Sequence, residues 1–338
     1  MELNWRSLPF AYHKTKYNVR YYYRNNKWSE MEISDSEYLT IHIAATALHY
    51  SQQIFEGLKA YRGVDNKVRL FRWQDNAERL NHSAKGLFMP ELPKELFYEA
   101  IKKVIELNIE YVPPANTGAT LYIRPLMIGI GPQVGIKPSA EYMFIVFVTP
   151  VGPYFKEGFK PVKIAIVRDS DRAAPLGTGT FKTGGNYASS LRGLNRANLE
   201  GFSSAMYLDP KEKKYIDEIG AANFFGIKNN TYITPKSTSI LDSITNRSLM
   251  KLAEDMNMKV ERRPVPVEEL ETFEEVGACG TAAVITPIGY IKDLDTGKEY
   301  FFCKDGKPGP ISEKLYKTLT GIQFGELEDK FGWTEVIC

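Results

Sequence analysis

The spacing of apolar residues along the chain predicts a mixture of strands and amphipathic helices. Helical spacing predicts helices over 75–87, 94–108, 187–200, 245–256 and 312–322. Apolar runs predict strands near 38–48, 120–128, 142–148, 162–167, 205–208, 214–216, 223–227, 232–234 and 283–291. A hairpin is expected between 58–62 and 68–72, and Asp75 with Glu78 resembles a capping box. The order lacks a regular alternation of strand and helix, so it predicts an α+β fold.

Length and punctuation divide these elements into two domains. A chain of 338 residues exceeds one typical core. Proline and glycine cluster between Thr149 and Pro161, where the hydrophobic pattern also changes. We therefore predict an N-terminal domain of residues 1–152, a linker of residues 153–163 and a C-terminal domain of residues 164–338.

Composition narrows the classes of protein to which the chain can belong. Hydrophobic residues make up 43% and charged residues 25%, and the net charge of +2 gives no reason to expect a nucleic acid or an acidic membrane surface as partner. No apolar run is long enough for a membrane span, and the N-terminus lacks an apolar signal core. Three cysteines and four scattered histidines indicate neither a disulfide framework nor a metal site. We expect a cytoplasmic globular protein without metal.

One lysine stands in an unusual loop. Lys182 lies among four glycines and three threonines between Gly177 and Tyr187. Small residues allow a ligand to approach the backbone closely, but the loop has neither the P-loop pattern nor the Rossmann pattern. A solvated lysine in a flexible surface loop explains the composition equally well.

Two later segments have the chemistry that a Schiff-base lysine would require of its cofactor site. Ser243-Ile244-Thr245 opens a predicted helix, whose N-terminus favours an anion such as a phosphate. Glu218 follows a short predicted strand, and a carboxylate there can hold a ring nitrogen protonated. Taken singly, Ser243 is better explained as a helix cap, and Glu218 as an exposed strand end.

Taken together, these segments resemble one family, the branched-chain amino acid aminotransferases among the fold-type-IV pyridoxal-phosphate enzymes. The resemblance covers nearly the whole chain. It rests on six stretches in order: Phe55-Glu56-Gly57-Leu58-Lys59-Ala60, Leu121-Tyr122-Ile123-Arg124-Pro125, Phe181-Lys182-Thr183-Gly184-Gly185-Asn186-Tyr187, Glu218-Ile219-Gly220 with Asn223, Ser239-Ile240-Leu241 with Ile244-Thr245, and Gly280-Thr281-Ala282. It implies a smaller N-terminal α/β domain and a larger C-terminal domain with a pseudo-barrel of strands.

The resemblance also implies roles in binding pyridoxal 5′-phosphate. Lys182 would form the Schiff base and move protons, Tyr187 would bond the phenolic oxygen, and Glu218 would hold the ring nitrogen. Four further positions would surround the cofactor: Arg79, Ile244 and Thr245 at the phosphate, and Arg172 near its edge. Without the resemblance, Arg79 is best explained as a solvated helix arginine.

The implied reaction is reversible transfer of the amino group between L-leucine, L-isoleucine or L-valine and 2-oxoglutarate, in branched-chain amino acid synthesis or breakdown. Five aromatic residues would form an apolar box: Phe10, Tyr50, Phe55, Tyr122 and Tyr154. The Thr281-Ala282 backbone would bind the α-carboxylate, with Thr281 also near the cofactor, and Arg124 would bind the distal carboxylate of glutamate. The resemblance further implies a homodimer.

Some residues depart from the family pattern. Asp242 replaces a frequent proline near the phosphate site, and could either cap the helix or weaken phosphate binding. Ala221 replaces a threonine of some relatives, while Ala283 and Thr286 replace a redox pair of cysteines, so no thiol switch is expected.

Two kinds of alternative function are open. One is a D-amino-acid transaminase or aminodeoxychorismate lyase of the same fold, and the other is a non-catalytic protein that keeps the fold.

Overall fold

The computed structural model describes residues 3–152, 159–303 and 305–338, which form two compact units. The strands are β1 (Asn18–Arg24), β2 (Lys27–Trp28), β3 (Glu32–Ser34), β4 (Gln53–Phe55), β5 (Leu58–Arg62), β6 (Val68–Phe71), β7 (Thr120–Gly129), β8 (Tyr142–Val151), β9 (Val162–Val167), β10 (Ser204–Leu208), β11 (Ile216–Ile219), β12 (Ala222–Lys228), β13 (Thr231–Pro235), β14 (Lys259–Arg263), β15 (Glu275–Gly280), β16 (Val284–Asp293), β17 (Glu299–Phe301) and β18 (Thr334–Val336). The helices are α1 (Thr46–His49), α2 (Trp73–Gly86), α3 (Lys94–Leu107), α4 (Gly184–Ser189), α5 (Leu191–Leu199), α6 (Ile244–Asp255) and α7 (Pro310–Gln323). Among the described residues, no helix is long and apolar enough to cross a membrane.

The two units do not follow one another along the chain as predicted. The first unit comprises Met1–Lys156, Phe181–Gly184 and Gly321–Cys338, and the second comprises Glu157–Thr180 and Gly185–Thr320. The predicted C-terminal domain of residues 164–338 therefore contains two segments of the first unit. As a result, the first unit is not the smaller of the two.

The first unit is an antiparallel sheet covered by α2 and α3. Its strands lie in the order β18-β6-β5-β7-β8-β1-β2, with β3 paired to β1 and β4 to β7. Apolar side chains of both helices, such as Leu80 and Ile101, join those of the sheet in one buried cluster. The C-terminal strand β18 completes the sheet at β6, and Glu335 in it accepts a hydrogen bond from Trp73 Nε1 at 2.6 Å. This contact holds the start of α2.

The second unit contains a closed ring of six strands. The ring runs β11-β10-β9-β16-β15-β12 and closes because β12 also pairs with β11. Alternate residues of a strand face opposite sides. Accordingly, Ile164 and Ile166 of β9 belong to one buried cluster, while Ala165 and Val167 belong to another with Ala197 of α5. The expected α+β fold with a pseudo-barrel is confirmed.

The hairpin of β5 and β6 is confirmed, as are α2, α3, α6 and α7 to within two residues at either end. The predicted capping box is wrong, because α2 begins at Trp73 and Asp75 lies within its first turn. The residue before the helix is Arg72, with φ of 48°, and its Nε donates to the Asp75 carboxylate at 2.5 Å. The pair thus holds the helix start without a side-chain cap.

Three other predicted elements differ from the structure. Residues 38–48 form no strand; Tyr38 and Ile43 are 83% and 89% exposed, and the Arg20 guanidinium binds the carbonyl of Tyr38 at 3.4 Å. The helix predicted over 187–200 is broken at Ser190, whose hydroxyl donates to the Tyr187 carbonyl at 2.7 Å. Serine side chains compete for backbone groups in this way. The strand placed at 214–216 is β11, which starts at Ile216.

Glu275 of β15 caps α7 from a distance along the chain. Its carboxylate accepts from the Ile311 and Ser312 backbone N–H groups at 2.9 and 2.8 Å and from the Ser312 hydroxyl at 2.7 Å.

We expect Glu275→Ala to lower the free energy of unfolding by about 1–3 kcal/mol, because these donors would lose their acceptor. Urea unfolding measures the change. Glu275→Gln, which keeps one oxygen, should lose less, and equal losses for both variants would contradict the capping role.

Candidate active site

The backbone of Lys182 is fixed within the first unit. Its carbonyl accepts from Phe55 N at 3.0 Å, and its N–H donates to the Ser83 hydroxyl at 2.9 Å. The next residue, Thr183, forms a β-bridge with Ile54. Lys182 is therefore held in place by a strand and a helix, unlike a solvated lysine in a flexible surface loop. Its ammonium nitrogen lies 4.8 Å from the centre of the Phe55 ring.

Arg79 of α2 lies in a buried ion pair that the sequence did not indicate. Its Nε donates to Glu56 Oε1 and its Nη2 to Glu56 Oε2, both at 2.8 Å. Asn76, one turn earlier on α2, donates to Oε2 at 2.8 Å. Glu56 is fully buried and Arg79 is 9% exposed, so Arg79 is not a solvated helix arginine. Glu56 belongs to one of the stretches that carry the resemblance, but no role had been inferred for it.

Phe10, Tyr122 and Arg124 line one cavity of about 220 Å³ in the first unit. The rings of Phe10 and Tyr122 meet edge to face at 5.1 Å. The Arg124 guanidinium lies 4.7 Å from the centre of the Phe55 ring, and its Nη2 donates to the Tyr122 hydroxyl at 3.0 Å. Arg124 Nε is buried and has no hydrogen-bond acceptor among the described residues. The site thus has aromatic walls and a cationic donor.

Of the other members of the predicted aromatic box, Phe55 contacts Arg124 of the cavity lining, and Tyr50 does not line the cavity. Tyr50 is 41% exposed, does not belong to the cavity lining, and donates its hydroxyl to the Val134 carbonyl. Tyr154 lies outside the described residues.

In the second unit, Glu218 lies within β11 and is 3% exposed, so it is not an exposed strand end. Asn223 opposite it on β12 donates to its Oε1 at 2.7 Å, and Arg172 forms an ion pair with its Oε2. Arg172 is itself anchored by the Ser239 carbonyl, 2.6 Å from its Nη2. A buried carboxylate next to a guanidinium is suited to remaining ionised and to binding a cationic N–H group.

The start of α6 is capped by Ser243, whose hydroxyl accepts from Asn246 N at 3.2 Å. Thr245 in the first turn is buried. Asp242 is not the cap: its carboxylate is half exposed and forms ion pairs with Arg262 at 2.8 Å and Arg247 at 3.5 Å. Two arginines thus offset the negative charge of Asp242 close to a helix N-terminus that favours an anion.

Thr281 and Ala282 lie in the turn of residues 281–283 between β15 and β16, and Tyr187 lies in α4. Val284 directly after this turn has φ of 64°, a backbone conformation that β-branched residues rarely adopt. Such strain, which typically costs about 1–3 kcal/mol, persists where the surrounding structure imposes it, here the pairing of Val284 with Gly280. No sequence signal marked this position.

Cys279, the cysteine near the replaced redox pair, is buried on β15. Burial raises the pKa of its thiol to about 12. Because the thiolate is the reactive form, this shift disfavours reaction of Cys279 at neutral pH. No cluster of three or more potential metal ligands is found in the part of the chain that the structure describes.

Comparison with known proteins identifies the family. The family described as amino-transferase class IV matches residues 53–291. The chain belongs to the class IV aminotransferases. A branched-chain-amino-acid aminotransferase of Haemophilus influenzae is 48% identical to it, covering 98% of either chain. This degree of similarity places the chain in the branched-chain amino acid aminotransferase family.

Solved structures of this family share the fold. The branched-chain amino acid aminotransferase of Escherichia coli is 28% identical, with a TM-score of 0.77 over 95% of this chain and 100% of its own. A second such enzyme, from the organism abbreviated T.th. and complexed with N-(5′-phosphopyridoxyl)-L-glutamate, is 25% identical, with a TM-score of 0.76 over 96% of this chain and 100% of its own. The chain therefore has the fold-type-IV architecture.

Class IV aminotransferases are pyridoxal-phosphate enzymes, and the residues of this aminotransferase fit that cofactor. The first unit offers a lysine with a fixed backbone and a buried arginine. The second offers a buried carboxylate for a ring nitrogen and a capped helix N-terminus for a phosphate. The orphaned Nε of Arg124 is a donor for an anionic ligand.

Proposed function

We propose that this aminotransferase transfers amino groups reversibly between L-leucine, L-isoleucine or L-valine and 2-oxoglutarate, with pyridoxal phosphate on Lys182. The observation that carries the proposal is the contact of one ring, Phe55, with both the Lys182 amine and the Arg124 guanidinium. An amine that can carry the cofactor thus lies close to aromatic walls and to a cation. Apolar side chains of substrates can pack against the aromatic walls, and acidic side chains can bind the cation.

The residues of the chain would act as follows. Lys182 Nζ removes the α-proton of the amino acid and returns a proton later in the cycle, as general base and then general acid. When bound, pyridoxal phosphate supplies an electron sink. Glu218 keeps the ring nitrogen protonated, supported by Asn223 and Arg172.

Further residues would hold the cofactor and the α-carboxylate. Arg79, the Ile244 and Thr245 backbone and the Thr245 hydroxyl bind the phosphate, and Tyr187 bonds the phenolic oxygen. The Thr281-Ala282 turn binds the α-carboxylate of the substrate. The support for these roles is the burial of Arg79, Ile244 and Thr245 and the Ser243 cap of α6, together with the family match.

The aromatic walls of the cavity suit branched side chains, because packing against them removes apolar surface from water. Phe10 and Tyr122 supply these walls. Arg124 would bind the distal carboxylate of glutamate and 2-oxoglutarate through a charge-assisted hydrogen bond. The glutamate adduct bound by the T.th. relative supports an acidic second substrate.

We further propose a cytoplasmic homodimer that serves branched-chain amino acid synthesis or breakdown. Apolar side chains stand exposed on two adjoining segments of the first unit: Ile43 is 89%, Val134 79% and Ile136 93% exposed. The segments are joined by a hydrogen bond from Gln133 N to the Ala44 carbonyl at 2.9 Å. Exposed apolar groups that lie together are typical of a face covered by another chain.

A panel of amino donors with 2-oxoglutarate tests the proposed reaction. We expect the L-isomers of leucine, isoleucine and valine to form glutamate, because their side chains fit an apolar box, and their D-isomers to be inactive. Glutamate formation is measured with glutamate dehydrogenase. L-Lysine and L-aspartate serve as controls for charged side chains. Activity confined to D-amino acids would overturn the proposal in favour of a D-amino-acid transaminase.

The attachment of the cofactor to Lys182 can be tested against Lys59, a buried lysine of the same unit. Burial lowers the pKa of Lys59 to about 8, so Lys59 is the rival amine. After borohydride reduction, we expect peptide mass mapping to find the pyridoxyl group on Lys182, and Lys182→Ala to lose transaminase activity by at least roughly a thousandfold. Lys59→Met should keep both the label and the activity. Label on Lys59 in the wild type would refute the assignment.

Substitution of Arg124 should separate the two half-reactions. Loss of one charge-assisted hydrogen bond is worth about 1.5–3 kcal/mol, or roughly 10–150-fold. We expect Arg124→Gln to raise the KM for 2-oxoglutarate by this factor while the leucine half-reaction changes less than about threefold. Stopped-flow single half-reactions measure both. Arg20→Gln is a matched control, since Arg20 is also buried but bonds Asn18 and Ser36. Equal losses for both substrates would contradict the role.

A further inference from the structure

Glu56 is the centre of a buried charge cluster that the proposed chemistry does not use directly. It directly follows β4, is fully buried, and accepts from Arg79 and Asn76 through three contacts of 2.8 Å. Its Oε2 also accepts from Gly57 N at 3.3 Å. Both oxygens of the carboxylate are therefore engaged, and its position is fixed by its own backbone and by one face of α2.

The geometry of this pair constrains the orientation of Arg79. Asn76 and Arg79 are three residues apart, so their side chains leave α2 on the same face. The guanidinium is planar and meets the carboxylate through two parallel bonds, from Nε and Nη2. A bidentate contact of this kind fixes the plane of the guanidinium as well as its distance. Arg79 is held by Glu56 in one orientation.

The same carboxylate lies in the field of Lys182. Burial alone would raise the pKa of Glu56, but the charge and hydrogen bonds of Arg79, the charge of Lys182 and the bond from Asn76 together hold it below its ordinary value. Phe55, the residue before Glu56, binds the Lys182 carbonyl. One chain segment therefore anchors the backbone of Lys182 and the side chain of Arg79.

We propose that Glu56 is a positioning residue that orients Arg79 for the phosphate of the cofactor. The inference rests on the proposed function, in which Arg79 binds that phosphate. A buried guanidinium without its carboxylate would be an uncompensated charge and would turn toward solvent along its flexible stem. Binding the phosphate would then require Arg79 to be ordered again. The rival explanation is that Glu56 only stabilises α2.

The test compares two ligands that differ by the phosphate alone. Pyridoxal phosphate and pyridoxal are titrated into cofactor-depleted wild-type and Glu56→Gln enzyme, and binding is followed by absorbance. We expect Glu56→Gln to weaken pyridoxal phosphate about tenfold, the size expected when one charge-assisted hydrogen bond is lost. Pyridoxal should change less than about threefold. A purely structural role would weaken both ligands alike.

Two further variants keep the test decisive. Glu335→Gln is the matched control, because Glu335 also holds α2, through Trp73, but does not contact Arg79 in the described structure; its ratio of the two affinities should equal that of the wild type. Glu56→Asp keeps the charge on a shorter stem and should lose about threefold for pyridoxal phosphate. If Glu56→Gln does not fold, the ratio measured for Glu56→Asp decides.

Three outcomes overturn the inference: unchanged affinity for pyridoxal phosphate, tighter binding of it, or a parallel loss for both ligands. Failure of the inference is distinguishable from failure of the proposed function. In the first case wild-type enzyme still transaminates L-leucine with 2-oxoglutarate; in the second it does not.

Discussion

The burial of charge is the constraint that shapes both units. Each unit buries a glutamate against an arginine: Glu56 with Arg79 in the first, and Glu218 with Arg172 in the second. Removing two charges from water costs several kcal/mol per ion, and an apolar pair of the same volume is often as stable or more stable. Fold stability alone therefore gives little reason for these pairs. In the proposed function, each pair holds a charged group in a fixed orientation for the cofactor.

The position of Lys182 depends on a small number of anchoring contacts. Only Phe181–Gly184 of its loop belongs to the first unit, while Gly179 and Gly185 belong to the second. Such a short return of the chain needs firm backbone contacts, and Phe55 N and the Ser83 hydroxyl provide them. Ser83 in turn donates to the Arg79 carbonyl at 3.0 Å. Lys182 and Arg79 are thus connected through the backbone of one helix.

Apolar periodicity predicted the elements that bury a whole face. The strand β9 and the helix α3 were predicted closely, and the Ser243 cap of α6 was one of two interpretations left open. Periodicity failed where apolar residues are exposed, as at Tyr38 and Ile43, and where serine hydroxyls break a helix, as at Ser190. Apolar periodicity indicates which residues are buried and carries no information about pairing partners.

The candidate site was predicted by two routes. Residue type and local composition singled out Lys182 and Glu218, whereas Arg124 followed from the family resemblance, and the roles of all three stay predictions. The Glu56–Arg79 pair joins residues 23 positions apart, and Arg262, one of the two partners of Asp242, lies 20 positions downstream of it. Nothing local in the sequence specifies such partners, since each depends on how β4 meets α2 or how β14 meets the start of α6.

The aromatic residues are suited to the proposed binding of chemically different substrates in one cavity. A ring presents apolar surface to a branched side chain, while its face attracts a cation. Phe55 uses its face in this way for both Lys182 and Arg124. An acid placed there would satisfy Arg124 permanently and would repel a substrate carboxylate. A neutral aromatic partner leaves the donor capacity of Arg124 Nε to the ligand, and it leaves the cavity wall apolar when no carboxylate is present.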